Sequence, residues 1–104
     1  IVLVPTGVKA YMQDGEVLSL YDRSSNPRKL GVVLINSVGV IDGDYYNNES
    51  NEGHIFVLFK NITDKVVSIK RGDRIVQGVF TPFLKVDNDN TDTIRTGGFG
   101  STGK

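Results

Sequence analysis

The sequence predicts an all-β fold, a distorted barrel or sandwich built from short strands. Three observations predict it. The apolar runs are brief and rich in Val and Ile. Clusters of Gly, Pro, Asn and Asp separate them at close intervals. No stretch carries the apolar spacing of an amphipathic helix long enough to matter.

The elements follow in order. Residues 1–4 are apolar and extended, and Pro5, Thr6 and Gly7 turn the chain. Residues 8–11 resume extended structure. Gln13, Asp14, Gly15 and Glu16 signal a tight turn, so residues 8–11 and 17–21 are expected to form a hairpin. Residues 22–29 are polar, contain Pro27 and read as a loop. Residues 30–35 and 39–42 are two apolar runs with Asn36 and Ser37 between them, which predicts a second hairpin. An Asn-rich loop over 44–53 leads into residues 55–59. That run is apolar throughout, so both of its faces should meet apolar surface. Turns at 61–64 and 70–73 bracket a short strand at 66–69. Residues 75–80 form a further strand, and Pro82 interrupts the chain before residues 83–86.

At 104 residues the chain is one domain, expected over residues 1–92, followed by a tail over 93–104. A domain of this size buries a modest share of its surface, so partner subunits often supply further stability. With no cysteine, disulfides, thiolate chemistry and Cys-based metal sites are excluded, and a single histidine, His54, cannot form a zinc cluster. The formal net charge of zero weighs against a nucleic-acid partner, which usually needs a basic excess. No apolar segment is long enough to span a membrane. A cytoplasmic location is the expectation. The chain opens at Ile1 inside an apolar run, which leads us to expect further sequence upstream.

Several residues suit chemistry. Asp42 follows the second predicted hairpin and suits either activation of a water or capping of a turn through its own backbone, and Asp44 has the same two readings. Tyr45 and Tyr46 are either ordinary rim aromatics or a wall that leaves no room for a 2′-hydroxyl. Arg23, Ser24 and Ser25 place a guanidinium and two hydroxyls in one loop, and a planar guanidinium can bond two phosphate oxygens. Gln77 interrupts an apolar run, so its amide needs a structural or a ligand partner. Asn36 is a turn former whose backbone and amide can read the edge of a base. Lys60, Lys65, Lys70 and Arg71 read as solvated charges at turns, and His54 as a loop or edge residue. The glycines of residues 97–103 cannot build a core. They suit either a frayed tail or an arm whose backbone N–H groups cradle phosphate while Phe99 stacks on a flat ring. The tail lacks Walker A spacing.

Five segments in this order resemble the homotrimeric dUTP pyrophosphatases, over nearly the entire chain from Pro5 to Lys104. Residues 4–8, Val-Pro-Thr-Gly-Val, resemble the family's strand and turn before its second motif. Asp22, Arg23, Ser24 and Ser25 resemble that second motif. Residues 36–45, Asn-Ser-Val-Gly-Val-Ile-Asp-Gly-Asp-Tyr, resemble the third, and residues 72–77, Gly-Asp-Arg-Ile-Val-Gln, the fourth. Residues 97–103, Gly-Gly-Phe-Gly-Ser-Thr-Gly, resemble the fifth.

The resemblance implies a jelly-roll-like β domain with a mobile Gly-rich C-terminal arm. It also implies a homotrimer in which the arm of one subunit covers a site built from two others. The implied activity is hydrolysis of dUTP to dUMP and pyrophosphate, with Asp42 activating water for attack at the α-phosphorus. Tyr45 would pack on the deoxyribose. The turn carrying Asn36 and Gly39 would read uracil and reject the methyl group of thymine. Arg23, Ser24, Ser25 and Gln77 would serve the phosphates. Phe99 would stack on the base. Arg95, Gly98, Gly100, Ser101 and Thr102 would hold the outer phosphates, and Mg²⁺ would ride on the triphosphate with its protein contacts through water.

Three departures stand out. The family's first motif lies upstream of Ile1. Arg95 sits one residue from the usual place of the arm's arginine. Asp22 stands where proline is frequent. Deamination of dCTP, known in the same fold, would need a glutamate where this chain has Leu58. A non-catalytic regulator with a nucleotide-sensitive arm, acting on a protein partner, is the alternative of a different class.

Overall fold

A computed structural model of the protein describes residues 1–84. Six strands are present: β1 (Val2–Pro5), β2 (Glu16–Asp22), β3 (Val32–Leu34), β4 (Val38–Ile41), β5 (Phe56–Asn61) and β6 (Val76–Pro82). They form two three-stranded sheets, one in the order β1-β5-β3 and the other β4-β2-β6. All pairings are antiparallel. The result is the expected jelly-roll-like β domain.

The alternation in β2 explains its central place. Leu18 and Leu20 are buried, while Val17 and Ser19 are half-exposed. One core cluster joins these leucines and Ile41 of the second sheet to Val32, Leu34, Val57 and Phe59 of the first. Met12, Tyr45 and Ile55 add to it from the connections. The β5 run behaves nearly as expected. Val57 and Phe59 are buried, and Phe56 and Leu58 on the opposite face are half-buried. By contrast β6 pairs only with β2, as an edge strand, and leaves Val79 and Phe80 exposed.

Two expected hairpins are absent. Residues 8–11 form no strand. The turn at 13–16 exists, since the Glu16 N–H donates to the Gln13 carbonyl at 3.2 Å. However, both edges of β2 are already taken by β4 and β6, so residues 8–11 cannot pair with it as a hairpin. The runs at 30–35 and 39–42 do not pair with each other either. The chain changes sheets at Asn36 and Ser37. Ser37 takes φ 64°, and the Val38 N–H turns back onto the Asn36 carbonyl at 2.6 Å. Before this corner Val33 faces Lys60 of β5, and after it Gly39 faces Leu20 of β2.

There are smaller departures as well. Residues 66–69 and Phe83–Leu84 form no strand. Part of the predicted loop at 22–29 is ordered, because a single helical turn spans Asn26–Leu30. Gly31 ends that turn at φ 80°, a left-handed position where glycine costs least. The expected strand residues 85–86, and the tail and arm over 93–104, lie outside the described residues. No helix among the described residues is long and apolar enough to cross a membrane.

Candidate active site

The end of β2 and the start of β6 build the first half of the site. In their register Tyr21 faces Gln77 and Asp22 faces Val76. The loop after β2 therefore emerges beside the strand that carries Gln77. Arg23 reaches across and donates from Nη1 to the Arg74 carbonyl at 2.9 Å. Arg23 and Gln77 line one cleft of about 880 Å³, together with Lys70, Arg71 and Arg74. Gln77 is exposed there. Its place in an apolar run reflects an edge strand opening onto a cleft rather than a buried amide seeking a protein partner. Ser24 is exposed and Ser25 half-exposed in the loop beside Arg23.

The sequence reading missed part of this cleft. It set Lys70 and Arg71 aside as solvated charges and gave Arg74, inside the fourth motif, no role of its own. With Arg23 they bring four cations to one cleft, against one acidic side chain, Asp73, whose Oδ2 accepts the Lys70 N–H at 2.8 Å. Such a surplus focuses a positive field on a polyanion. The signal was present in the sequence as three cations within residues 70–74. What it lacked was a reason to place that turn opposite Arg23.

Asp22, next to Arg23, does not line the cleft. Its Oδ1 accepts from Asn26 Nδ2 at 2.6 Å, and its Oδ2 accepts the Leu34 N–H at 3.1 Å. Asn26 is 2% exposed, and its Nδ2 also donates to the Ile75 carbonyl at 2.8 Å. Inside the loop the Asn26 N–H donates to the Arg23 carbonyl at 3.0 Å, and the Lys29 N–H to the Ser25 carbonyl at 2.8 Å.

The second half of the site lies where the chain changes sheets. Asn36, Gly39, Val40 and Ile41 line a cleft of about 150 Å³ with Leu20, Leu34 and residues 56–58. The side chains are apolar except for Asn36, so polar recognition inside it falls to Asn36 and the main chain. Gly39 adds no side chain to the lining, and a Cβ there would come within 3.4 Å of Leu20 Cβ. Leu58, at the position of the deaminase glutamate, contributes only apolar surface.

Asp42 follows directly after Ile41. It is exposed, with φ −79° and ψ 160°, and it precedes a short turn over Gly43–Tyr45. Its main-chain carbonyl accepts the Tyr45 N–H at 3.1 Å, yet its carboxylate makes no capping hydrogen bond to that turn. Asp42 therefore closes this turn through its main chain, while its carboxylate takes no part in the cap.

Tyr45 and Tyr46 diverge. Tyr45 is 4% exposed. Its hydroxyl donates to the His54 carbonyl at 2.6 Å and accepts from Asn51 Nδ2 at 2.9 Å. Tyr46 packs edge-on against Tyr11, with ring centroids 5.5 Å apart, and Lys9 Nζ lies 5.0 Å from its ring centre. His54 is a structural neighbour: its Nε2 accepts the Gly7 N–H at 3.0 Å, and its ring stacks on Phe56 at 4.4 Å.

Arg23 and Gln77 thus share one cleft, and Asn36 and Gly39 share another, which Asp42 follows in the chain by one residue after Ile41. The two clefts have no lining residue in common. Arg95, Gly98, Phe99, Gly100, Ser101 and Thr102 lie outside the described residues.

Comparison with known proteins adds independent findings. A family model described as dUTPase matches residues 1–103. A deoxyuridine 5'-triphosphate nucleotidohydrolase of Lactococcus lactis subsp. lactis is 67% identical over 103 residues, covering 97% of this chain and 69% of the relative. One from a Hydrogenobaculum species is 41% identical over 107 residues, covering 98% of this chain and 70% of its own length. A crystal structure of dUTPase from Streptococcus mutans superposes with a TM-score of 0.81 at 74% identity, covering 83% of this chain and 67% of that one.

Proposed function

This chain belongs to the dUTPase family, and from that premise we propose that it hydrolyses dUTP to dUMP and pyrophosphate with a water activated by Asp42. The observation that supports this assignment is the place of Asp42: exposed, its carboxylate not used to cap its turn, and one residue beyond the narrow cleft that Asn36 and Gly39 help to line.

In this reading the small cleft takes uracil. Its apolar side walls and the main chain near Asn36 admit a flat base, and its small volume disfavours an added methyl group. The Tyr45 ring, held by its hydroxyl, stands against the sugar as a fixed wall. Asp42 takes a proton from water as the water oxygen bonds to the α-phosphorus. The bond from that phosphorus to the bridging oxygen breaks, and pyrophosphate departs with the electron pair. Arg23 and Gln77, with the surrounding cations, hold the polyphosphate and offset its charge.

Magnesium belongs to the same reading. No group of three or more His, Cys, Asp or Glu side chains suited to a metal occurs among the described residues. We assign the ion to the triphosphate oxygens, which are hard ligands of the kind it favours, with protein contacts through water. When bound it neutralises phosphate charge.

The two clefts of one chain share no lining residue, and assembly as a trimer is the arrangement in which they would serve one reaction. The base cleft of one subunit meets the cationic cleft of a neighbour, and the C-terminal arm of the third subunit covers both. The exposed apolar residues Val79 and Phe80 on β6 and Leu3 on β1 are suited to subunit contact. A nucleotide-sensing role toward a protein partner would be compatible with this assembly, and the Asn-rich loop is its natural surface.

The deciding experiment measures pyrophosphate release from dUTP, UTP, dTTP and dCTP with Mg²⁺, with ammonia followed separately. Release from dUTP alone supports the assignment of both base and sugar selection. Ammonia from dCTP would move the chain to the deaminase reading, and binding of dUTP without release to the regulatory one.

A further inference from the structure

We propose that Asp22 and Asn26 are a positioning pair that sets the Arg23–Ser25 loop for binding polyphosphate. The inference rests on the phosphate role assigned above to Arg23 and adds residues that touch no substrate.

The two side chains bracket the loop, one on each side of Arg23, Ser24 and Ser25. Asn26 Nδ2 donates both to Asp22 Oδ1 at 2.6 Å and to the Ile75 carbonyl at 2.8 Å. The second oxygen of Asp22 takes the Leu34 N–H at 3.1 Å. These three bonds join the end of β2, the helical turn, β3 and the residue before β6. The same segment beyond Ile75 carries Gln77, and the one before it offers the Arg74 carbonyl that receives Arg23. The pair thus ties the loop to the far wall of its own cleft.

Two physical arguments favour a positioning role over simple packing. An apolar side chain at 26 would fill the volume but would not fix rotation of the loop, whereas an amide with two directed bonds does. A carboxylate near a polyanion site is unfavourable unless its oxygens are engaged. Here each oxygen of Asp22 has an N–H donor, so its charge is spent on holding the loop rather than on repelling phosphate. Guanidinium recognition of phosphate is angular, so small shifts of the Arg23 backbone are costly to binding.

The test uses the full-length protein and four variants. Asn26→Ala and Asp22→Asn should each raise the KM for dUTP about tenfold with kcat little changed, the signature of lost uniform binding. Competitive inhibition by pyrophosphate should weaken in parallel. Inhibition by deoxyuridine, which has base and sugar but no phosphate, should stay as in the parent protein. Met12→Ala, a core truncation outside both clefts, serves as the stability control and should lower the melting temperature without moving KM. An unchanged KM in Asn26→Ala, or in Asp22→Asn should the first variant not fold, overturns the pair. Equal weakening of deoxyuridine inhibition also overturns it, because it would mark general loosening of the domain. Arg23→Ala separates the premise. If it leaves KM and pyrophosphate inhibition unchanged, the phosphate role of Arg23 falls. If it raises KM while the pair variants do not, only the positioning inference falls.

Discussion

Tyr45 is held at its hydroxyl by two opposed hydrogen bonds, donating to the His54 carbonyl at 2.6 Å and accepting from the Asn51 side chain at 2.9 Å. Asn51 is itself held: Asn48 Nδ2 donates to its Oδ1 at 2.8 Å and to the Tyr45 carbonyl at 2.7 Å. The Asn-rich loop thus has a structural task. Its side chains form a hydrogen-bonded brace around one aromatic ring.

The brace gives separable expectations for stability and selectivity. Tyr45→Phe leaves the Asn51 amide and the His54 carbonyl each short of a partner, and should cost about 1–3 kcal/mol in urea unfolding. Its selectivity for dUTP over UTP should largely survive, because the ring remains. Tyr45→Ala should lose that selectivity. Retained discrimination in the alanine variant would remove Tyr45 as the sugar wall.

Asp42→Asn preserves shape and removes the base. Turnover should fall by about 10²–10⁴-fold, the usual weight of general-base catalysis, while dUTP affinity measured by calorimetry changes little. Activity equal to the parent protein would exclude Asp42 from proton transfer.

Gly53 combines φ 91° with backbone crowding. A Cβ there would lie 2.8 Å from the Asn47 nitrogen and 2.9 Å from the Tyr46 Cα. Neither atom belongs to a flexible side chain, so the loop itself must shift. Gly53→Ala should destabilise by at least about 2 kcal/mol in urea unfolding. Because the same loop braces Tyr45, discrimination against UTP should decline with it.

Removal of residues 97–104 tests the arm. Turnover should fall by about 10²-fold, the scale of lost positioning and closure, with the thermal transition of the domain unmoved. Full turnover without these residues would end the assignment of Phe99, Ser101 and Thr102 to the substrate.

The parts of the fold legible in the sequence were those governed by local chemistry. The turn residues 13–16 marked the start of β2, and an unbroken apolar run marked β5. Pairing was less legible, because it depends on which edges remain free. Residues 8–11 look as extended as β1 but find both sides of β2 occupied. Asn36 and Ser37 look like a hairpin turn and are instead a corner between sheets, since the same residue types serve both. In the site, Arg23 and Gln77 were named from the sequence and do share a cleft. Lys70, Arg71 and Arg74 were missed because turn cations gain meaning only from what lies opposite them. The Asp22–Asn26 pair escaped for the same reason: only the fold shows that Leu34 and Ile75 supply the other partners.

The pairing of the two longest strands also sets an order of events in synthesis. Glu16 at one end of β2 lies opposite Pro82 at the far end of β6, while the opposite edge of β2 is filled by the much nearer β4. Long loops close slowly, so β2 waits with one unsatisfied edge until nearly all of the described chain has left the ribosome. A nascent chain can assemble the walls of the base cleft, which draw on β2 to β5, well before it can assemble the cationic one. Of the two clefts, the one we assign to polyphosphate is thus the later to form, and a product cut short before residue 76 would lack part of its wall.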